Sequence, residues 1–564
     1  MKYFTFVLHS HLPWVIAHGT WPHGQSWLNE AAAETYIPLL EVLTRLKQDG
    51  IKPRLTLGLT PVLCEQLSNV GFKEELTSYL EGRIAAAIAD KENFLSQGQE
   101  NLTNLAVMWE KWYTEIKEAY EEKYNKNIIK AFQQLQTTGD IEIITCAATH
   151  GYLPLLGTEE AVGAQIRTGV ESYKHHFGQQ PKGIWLPECA YRPEYKWSRP
   201  AGDQDREFER KGIEYFLEEN GIRYFIVDTP LLIGGEAIGV YLDRFAGLQM
   251  LWDKFKEQIT KKSEDGEKTP YLPYNVGASN VAFFTRDPKT GILVWSGEHG
   301  YPGDGNYLDF HKKHWPSGLR YWKVTGMKVD LGQKMEYYPD DIPRRIHDNA
   351  SHFKETIRII LDEQSQMGIE NPILVAPYDA ELYGHWWWEG PLFLEQVIRW
   401  VDADPDIELT TCARYLERYP PTQGISLPEG SWGKGNFHWI WFNEWTTWTW
   451  DRIYECEDKF NEIVKLSPST REDMQRIIKQ AARELLLLES SDWQFLISTW
   501  SARDYAEARV AVHFEKFNRL YGMAKRVHRG EELSKEEWTF LSQVESDDSL
   551  FPFIQPFWWD LPKK

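Results

Sequence analysis

Four short apolar runs in this chain each end in histidine or carboxylate residues, and that repeated arrangement restricts the fold more than any composition figure. Residues 3–8 run into His9-Ser-His11, residues 141–148 into Thr149-His150-Gly151, residues 183–186 into Pro187-Glu188-Cys189, and residues 373–376 into Pro377-Tyr378-Asp379-Ala380-Glu381. An apolar run of this length bounded by polar turns reads as a strand buried on both faces, as in a parallel sheet. A barrel of such strands gathers the residues at their carboxyl ends into one site. The chain therefore reads as an α/β barrel enzyme.

Charge and cysteine usage narrow the partners. The 62 basic and 83 acidic residues give a formal net charge of −21, which repels nucleic acid and anionic membrane, so neither is an expected partner. No apolar stretch approaches the ~18 residues that span a bilayer, and the opening apolar run is interrupted by His9 too soon for a signal peptide. A cytoplasmic location is the expectation. Cys64, Cys146, Cys189, Cys412 and Cys456 are scattered with no CxxC pair, which fits a reducing compartment and speaks against a disulfide framework or a thiolate metal site. A neutral or small ligand remains.

Tryptophan points to which ligand. The chain has 26 Trp, as many as Phe, and they cluster in His385-Trp386-Trp387-Trp388-Glu389 and in the stretch holding Trp432, Trp439, Trp441, Trp445, Trp448 and Trp450. Aromatic residues ordinarily serve as core. Here they fall beside Gly, Asn, His and Glu, as in Gly430-Ser-Trp432-Gly-Lys-Gly435-Asn-Phe-His438. Flat apolar faces next to carboxylates and amides suit sugars, whose C–H faces stack while their hydroxyls take polar partners.

Periodicity predicts strands near 3–8, 54–59 and 141–148, interrupted by a helical pattern over about 65–140 that includes an amphipathic stretch at 101–135. A strand at 183–187 leads into a polar loop at 197–205, a helix near 206–220 and a strand at 223–228. Residues 231–278, with a charged run at 258–269, have little periodicity and read as a functional loop. Residues 282–285 and 292–296 read as a hairpin. Beyond about 415 the pattern is helical, most clearly at 470–490 and 502–526. The organisation is a catalytic barrel over 1–415, with 65–140 as an inserted helical subdomain and 231–278 as an active-site loop, followed by a C-terminal helical domain over 416–564.

The motifs His9-Ser-His11-Leu-Pro13, Ala148-Thr-His150-Gly, Trp185-Leu-Pro-Glu188-Cys-Ala-Tyr191, Tyr378-Asp379-Ala-Glu-Leu-Tyr-Gly-His385-Trp-Trp and Ser490-Ser-Asp492-Trp493 resemble, in order, those of glycoside hydrolase family 57. Trp295-Ser-Gly-Glu-His-Gly-Tyr301-Pro-Gly-Asp304 and Pro428-Glu-Gly-Ser-Trp432-Gly are similar to the 1,4-α-glucan branching enzymes of that family. The resemblance covers about residues 1 to 525. It implies an incomplete (β/α)7 TIM-like barrel with an inserted helical subdomain and a C-terminal α-helical domain. It also implies α-1,4-glucan (amylose, glycogen) as partner and needs no cofactor.

Retaining glycosyl transfer needs two carboxyl groups roughly 5–5.5 Å apart, one attacking the anomeric carbon and one protonating the leaving oxygen. Glu188 and Asp379, at the ends of two apolar strands, supply such a pair, and the family pattern makes Glu188 the nucleophile and Asp379 the acid/base. By the same resemblance His9, His11 and His150 line the sugar subsite, and Arg286, Trp295, His385, Trp432, Trp441 and Asp492 are substrate contacts. In the branching enzymes a loop tyrosine favours transfer over hydrolysis. Gly234-Gly-Glu-Ala-Ile-Gly-Val-Tyr241 resembles the start of that loop, which makes Tyr241 the candidate and Tyr271 or Tyr274 the alternatives. Three other readings stand beside branching: an α-glucan hydrolase or 4-α-glucanotransferase of the same family, a metal-dependent amidohydrolase or deacetylase barrel suggested by His-x-His at the end of a first strand, and a non-catalytic glucan-binding protein.

Overall fold

The structure, a computed structural model, describes residues 1–202, 207–234, 248, 250–251, 268–296, 300–326, 328–466 and 471–560. Its strands are β1 (Lys2–Ser10), β2 (Leu55–Leu59), β3 (Ile141–Cys146), β4 (Gly183–Trp185), β5 (Tyr195–Ser198), β6 (Glu207–Arg210), β7 (Tyr224–Val227), β8 (Tyr274–Val276), β9 (Ala282–Thr285), β10 (Ile373–Asp379), β11 (Ile407–Leu409) and β12 (Gly424–Ile425). The main sheet runs β10-β1-β2-β3-β4-β7-β9, every neighbour parallel. Beyond β9 the amide of Asp287 donates to the carbonyl of Val375 across 3.1 Å, and Arg286 bridges Val375 in parallel. This single contact brings the end of β9 against β10 and curls seven strands into an incomplete barrel. β8 adds to β9 antiparallel and carries β12, and β11 lies against the start of β1.

The period-two pattern decides which residues face which way. Tyr3 and Val7 of β1, Ile144 and Cys146 of β3, Trp185 of β4, Tyr224 and Ile226 of β7, Ala282 and Phe284 of β9, and Ile373 and Val375 of β10 pack together as the barrel interior. Their neighbours Phe4, Phe6 and Leu8 face outward into a second core shared with the helices. Helices at Pro61–Ser68, Val70–Ser96, Glu100–Glu118 and Ile128–Thr137 fill the interval between β2 and β3. The expected amphipathic stretch is two of these, broken by a turn at Asn125 and Lys126, both at positive φ. After residue 446 the chain is helical, with long helices at Thr447–Ile463, Glu472–Leu488 and Arg503–His528. Most of the aromatic tail packs inward, with Phe551, Trp558 and Trp559 buried and Trp559 meeting Phe460 at 4.8 Å, while Phe557 stays exposed.

Two expectations are corrected. Residues 282–296 form β9 followed by a helix, Pro288–Trp295, and no hairpin: Asp287 caps that helix by accepting from the amide and hydroxyl of Thr290 at 2.6 and 2.7 Å, and Pro288 occupies its first turn. The stretch expected as a helix from 206 begins as β6, antiparallel to β5, and the helix spans only Ile213–Glu219. Alternation decides this: Arg210 turns inward, donating to the carbonyl of Leu153 at 2.8 Å and lying 4.5 Å from the Trp197 ring centroid.

Candidate active site

All seven barrel strands deliver a polar residue at their carboxyl ends: His9, Thr60, His150, Glu188, Asp228, Arg286 and Asp379. His9 and Asp379 are paired in the register of β1 and β10. A cavity of about 660 Å³ opens at this end, and His9, His11, His150, Glu188, Asp379 and Asp492 line it together with Trp295, Trp432 and Trp441. Nine of the expected site residues, from seven separate stretches of chain, thus meet in one place.

Glu188 is held in an unusual backbone state. It has φ 61 and ψ 25, Cys189 has φ 48, and His150, opposite it, has φ 61. Left-handed non-glycine residues cost on the order of 1–3 kcal/mol each and concentrate at functional sites. Its Oε2 accepts the indole N–H of Trp432 at 2.8 Å and its Oε1 accepts the Ser491 hydroxyl at 3.1 Å. Burial pushes the Glu188 carboxyl up to about 7, with Asp492 adding to the rise against the opposing hydrogen bonds. Asp379 is also pushed well above the usual carboxylate range, first by burial and then by Glu381 and Glu188, with Arg286 pulling the other way. The neighbouring Glu188 charge in this poorly hydrated space therefore works against ionisation of Asp379.

The histidines form a chain of contacts. His9 Nε2 lies 3.2 Å from His150 Nε2, His150 Nδ1 lies 2.8 Å from the Ser491 hydroxyl, and that hydroxyl donates to Glu188. His150 Nδ1 is 3.9 Å from Glu188 Oε1, but burial, with the neighbouring His11, drives its pKa well below the usual value. The neutral ring communicates with Glu188 through Ser491 rather than as an ion-pair partner. His9 is lowered in the same way, by burial and by His150, and stacks on Trp185 at 4.7 Å. His11 is oriented by Thr60 at 3.1 Å and Asp492 at 2.9 Å.

His11, His150 and Asp492 have donor atoms close enough to hold a metal ion. Their geometry suits hydrogen bonding better. The two rings lie face to face, 3.9 Å apart and inclined by 14°, so their in-plane lone pairs run side by side instead of converging. Every ring nitrogen of the two already has a hydrogen-bond partner.

Two expected residues fall elsewhere. Arg286 lies beneath the cavity, paired with Asp228 at 2.9 Å, its guanidinium 6.0 Å from the Trp432 ring. His385 faces a neighbouring cavity, with Glu34 at 2.8 Å. Tyr241 lies outside the described residues. Of the alternatives, Tyr271 donates to Asp287 at 2.7 Å and the Tyr274 hydroxyl accepts from the Thr269 amide at 3.0 Å; both are buried away from the cavity. Sequence reasoning passed over Phe310, Phe495 and the role of Ser491, and quoted Glu381 and Trp386 without assigning them a part. Glu381 accepts from Tyr36 at 2.6 Å and from the His11 amide at 3.1 Å.

The family model described as glycosyl hydrolase family 57 matches residues 5–428, and that described as 1,4-alpha-glucan branching enzyme, C-terminal, matches residues 452–559. The chain is 42% identical over 550 residues to the 1,4-alpha-glucan branching enzyme of Thermococcus kodakarensis, covering 97% of this chain and 77% of the relative. The crystal structure of that branching enzyme, in complex with glucose and additives, is similar with a TM-score of 0.89 at 41% identity, covering 100% of this chain and 97% of the other. The branching enzyme of Pyrococcus horikoshii gives a TM-score of 0.89 at 37% identity, covering 100% and 98%. The alpha-amylase AmyC of Thermotoga maritima gives 0.79 at 28%, covering 100% of both chains. With most of its length matched by the family model and a relative well above 30% identity over nearly the whole chain, this protein belongs to glycosyl hydrolase family 57.

Proposed function

We infer that the chain catalyses 1,4-α-glucan branching, cleaving an α-1,4 linkage by double displacement and transferring the released glucan to a 6-hydroxyl to form an α-1,6 branch. The observation that carries the reading is the meeting of Glu188 and Asp379 in one cavity walled by Trp295, Trp432 and Trp441. The branching-enzyme match over 452–559 and the branching enzymes among the relatives support transfer as the outcome.

In this reading Asp379, kept protonated by its surroundings, gives its proton to the glycosidic oxygen while the Glu188 carboxylate attacks the anomeric carbon and forms a glycosyl ester. The 6-hydroxyl of an acceptor chain then yields its proton to the Asp379 carboxylate, and its oxygen displaces Glu188. Trp432 and Ser491 hold Glu188 in place with one donor on each oxygen. His9, His11, His150 and Asp492 contact hydroxyls of the bound sugar. Arg286 acts from below by tempering the charge at Asp379, and His385 contacts glucan in the neighbouring cavity. Excluding water from the glycosyl ester favours transfer; the Trp walls contribute to this, and Tyr241 is the loop residue proposed to complete it.

The same proposal divides the chain into a catalytic barrel over 1–415, carrying the helices of 65–140 and the loop of 231–278, and a helical C-terminal domain over 416–564. The two family matches, one ending at 428 and the other starting at 452, support a boundary in that region. The test is to treat amylose with the protein and digest the product with a debranching enzyme: short linear chains released only after treatment support branching, and an unaltered amylose contradicts it.

A further inference from the structure

Between helices at Gln25–Ala31 and Ile37–Gln48 the chain makes a π-helical turn, Ala32–Tyr36, all five residues of which are buried. Turns of this kind are rare and frequently mark functional sites. This one lies along the segment that follows Asp379 and is tied to it repeatedly. The Glu34 carbonyl comes so close to Gly384, at φ 119, that a Cβ has no room there. The Thr35 hydroxyl accepts from the His385 amide at 3.2 Å, and the Glu34 carboxylate holds the His385 ring at 2.8 Å on the wall of a second cavity. The Tyr36 hydroxyl donates to Glu381 Oε1 at 2.6 Å.

Glu381 is where these ties reach the chemistry. It stands two residues after Asp379, lines the catalytic cavity and accepts the His11 amide at 3.1 Å on the same Oε1. One carboxylate oxygen thus joins the π turn to the segments that follow β1 and β10. His9 of β1 is the register partner of Asp379, so a bond that fixes His11 to Glu381 also fixes the histidines of this strand end relative to Asp379. Charge acts in the same direction as geometry. The bonds from Tyr36 and from the His11 amide favour the ionised Glu381 against its burial, and the Glu381 charge opposes ionisation of Asp379. The other titratable or charged groups facing these residues, among those described, are Glu188 and Arg286 beside Asp379, the His11 ring beside Glu381 and Cys64 near Tyr36.

We propose that Tyr36 and Glu381 are positioning residues for the acid/base: the Tyr36 hydroxyl, carried by the π turn, holds the Glu381 carboxylate, and that carboxylate sets the place of Asp379 against His11. By its charge Glu381 also keeps the Asp379 proton in place until the glycosidic oxygen takes it. This role rests on the reading of Asp379 as the proton donor. A phenylalanine at position 36 would fill the same space and leave Glu381 without this bond.

The pH dependence of amylose turnover, followed by loss of iodine staining, tests the pair. Tyr36→Phe is expected to lower kcat about 10-fold, the range of one bond to a charged group, with KM as in the parent and the alkaline limb of the profile moved to lower pH. Glu381→Gln keeps an acceptor oxygen for both donors and removes the charge, so it is expected to move that limb further, by about one pH unit or more. Tyr124→Phe breaks a comparable bond to Glu41, 2.5 Å long and outside the residues lining the cavity, and is expected to leave rate and profile as in the parent. Thermal unfolding identifies a variant that fails to fold, and the remaining variant then decides. An alkaline limb that stays in place in the folded variants, a rise in KM in place of a fall in kcat, or an equal loss with Tyr124→Phe overturns the proposal. A parent that releases reducing ends without forming α-1,6 linkages overturns the branching reading and leaves the pair standing, because both outcomes begin with the same proton transfer. A parent that leaves amylose unaltered overturns both.

Discussion

Trp432 donates its indole N–H to Glu188 across 2.8 Å although 244 positions separate them in the chain. The backbone makes a second tie, from the Trp432 amide to the Glu188 carbonyl at 3.0 Å. The segment after the barrel is thus bonded to the proposed nucleophile itself. A hydrogen bond that favours the ionised carboxylate also opposes the rise that burial imposes on Glu188.

Trp432→Phe keeps a ring and removes this donor. Hydrogen bonds to charged groups contribute about 1.5–3 kcal/mol, so kcat is expected to fall about 10- to 100-fold. The acidic limb of the pH–rate profile should move to higher pH, because Glu188 loses a group that lowers its pKa. A profile that keeps its acidic limb, whatever the loss of rate, would show that the bond does not tune Glu188.

Glu188→Gln and Asp379→Asn are near-isosteric and leave the cavity walls in place. Each is expected to reduce turnover of amylose by ~10³-fold or more, since in the proposed mechanism one removes the nucleophile and the other the proton donor. Thermal unfolding should stay close to that of the parent, because removing a buried charge imposes no new cost. Either variant retaining more than a few percent of parental activity would remove that residue from the mechanism.

The pH profile of kcat/KM follows from the two carboxyls. In the proposed mechanism Glu188 must be ionised to attack, and burial raises its carboxyl to about 7, so activity should rise with pH through that region. Asp379 must be protonated to donate, and its pKa lies well above the usual carboxylate range, so activity should fall again at higher pH as it ionises. A profile flat from pH 5 to 8 would contradict the assignment of Glu188 as the ionised partner.

Glu389 offers a stability test away from the chemistry. It is buried, accepts from the Leu308 amide at 3.0 Å and the Tyr337 hydroxyl at 2.8 Å, and burial lifts its carboxyl from 4.5 to about 7 despite those bonds. Between those values the unfolded chain ionises here and the folded chain does not, so stability falls as pH rises, by on the order of 3 kcal/mol. Gln cannot ionise. Relative to the parent, Glu389→Gln should therefore gain melting temperature at pH 8 compared with pH 5; an equal difference at both pH values would show that Glu389 does not titrate in this way.

The site was legible where one short segment carries the whole signal. An apolar run closing on His or carboxylate names both the strand and the residue at its end, which is why His9, His150, Glu188 and Asp379 could be read directly. Contacts across the chain left no such trace. Ser491 sits between His150 and Glu188, and Tyr36 reaches Glu381 over 345 positions, pairings that only the closed barrel creates. His385 belongs to a recognisable motif, yet its partner Glu34 comes from the first helical layer and draws it into the second cavity. The misplaced hairpin had its correction in the sequence, since Asp287-Pro288 is a helix-start signal that the apolar run after it obscured.

The fate of the glycosyl ester separates branching from hydrolysis, and proton NMR of amylose during the reaction, with new reducing ends counted alongside, follows it directly. Growth of the α-1,6 anomeric signal with few new reducing ends is the predicted result. Reducing ends accumulating without α-1,6 linkages would mean that water, not a 6-hydroxyl, resolves the intermediate, and would contradict the account.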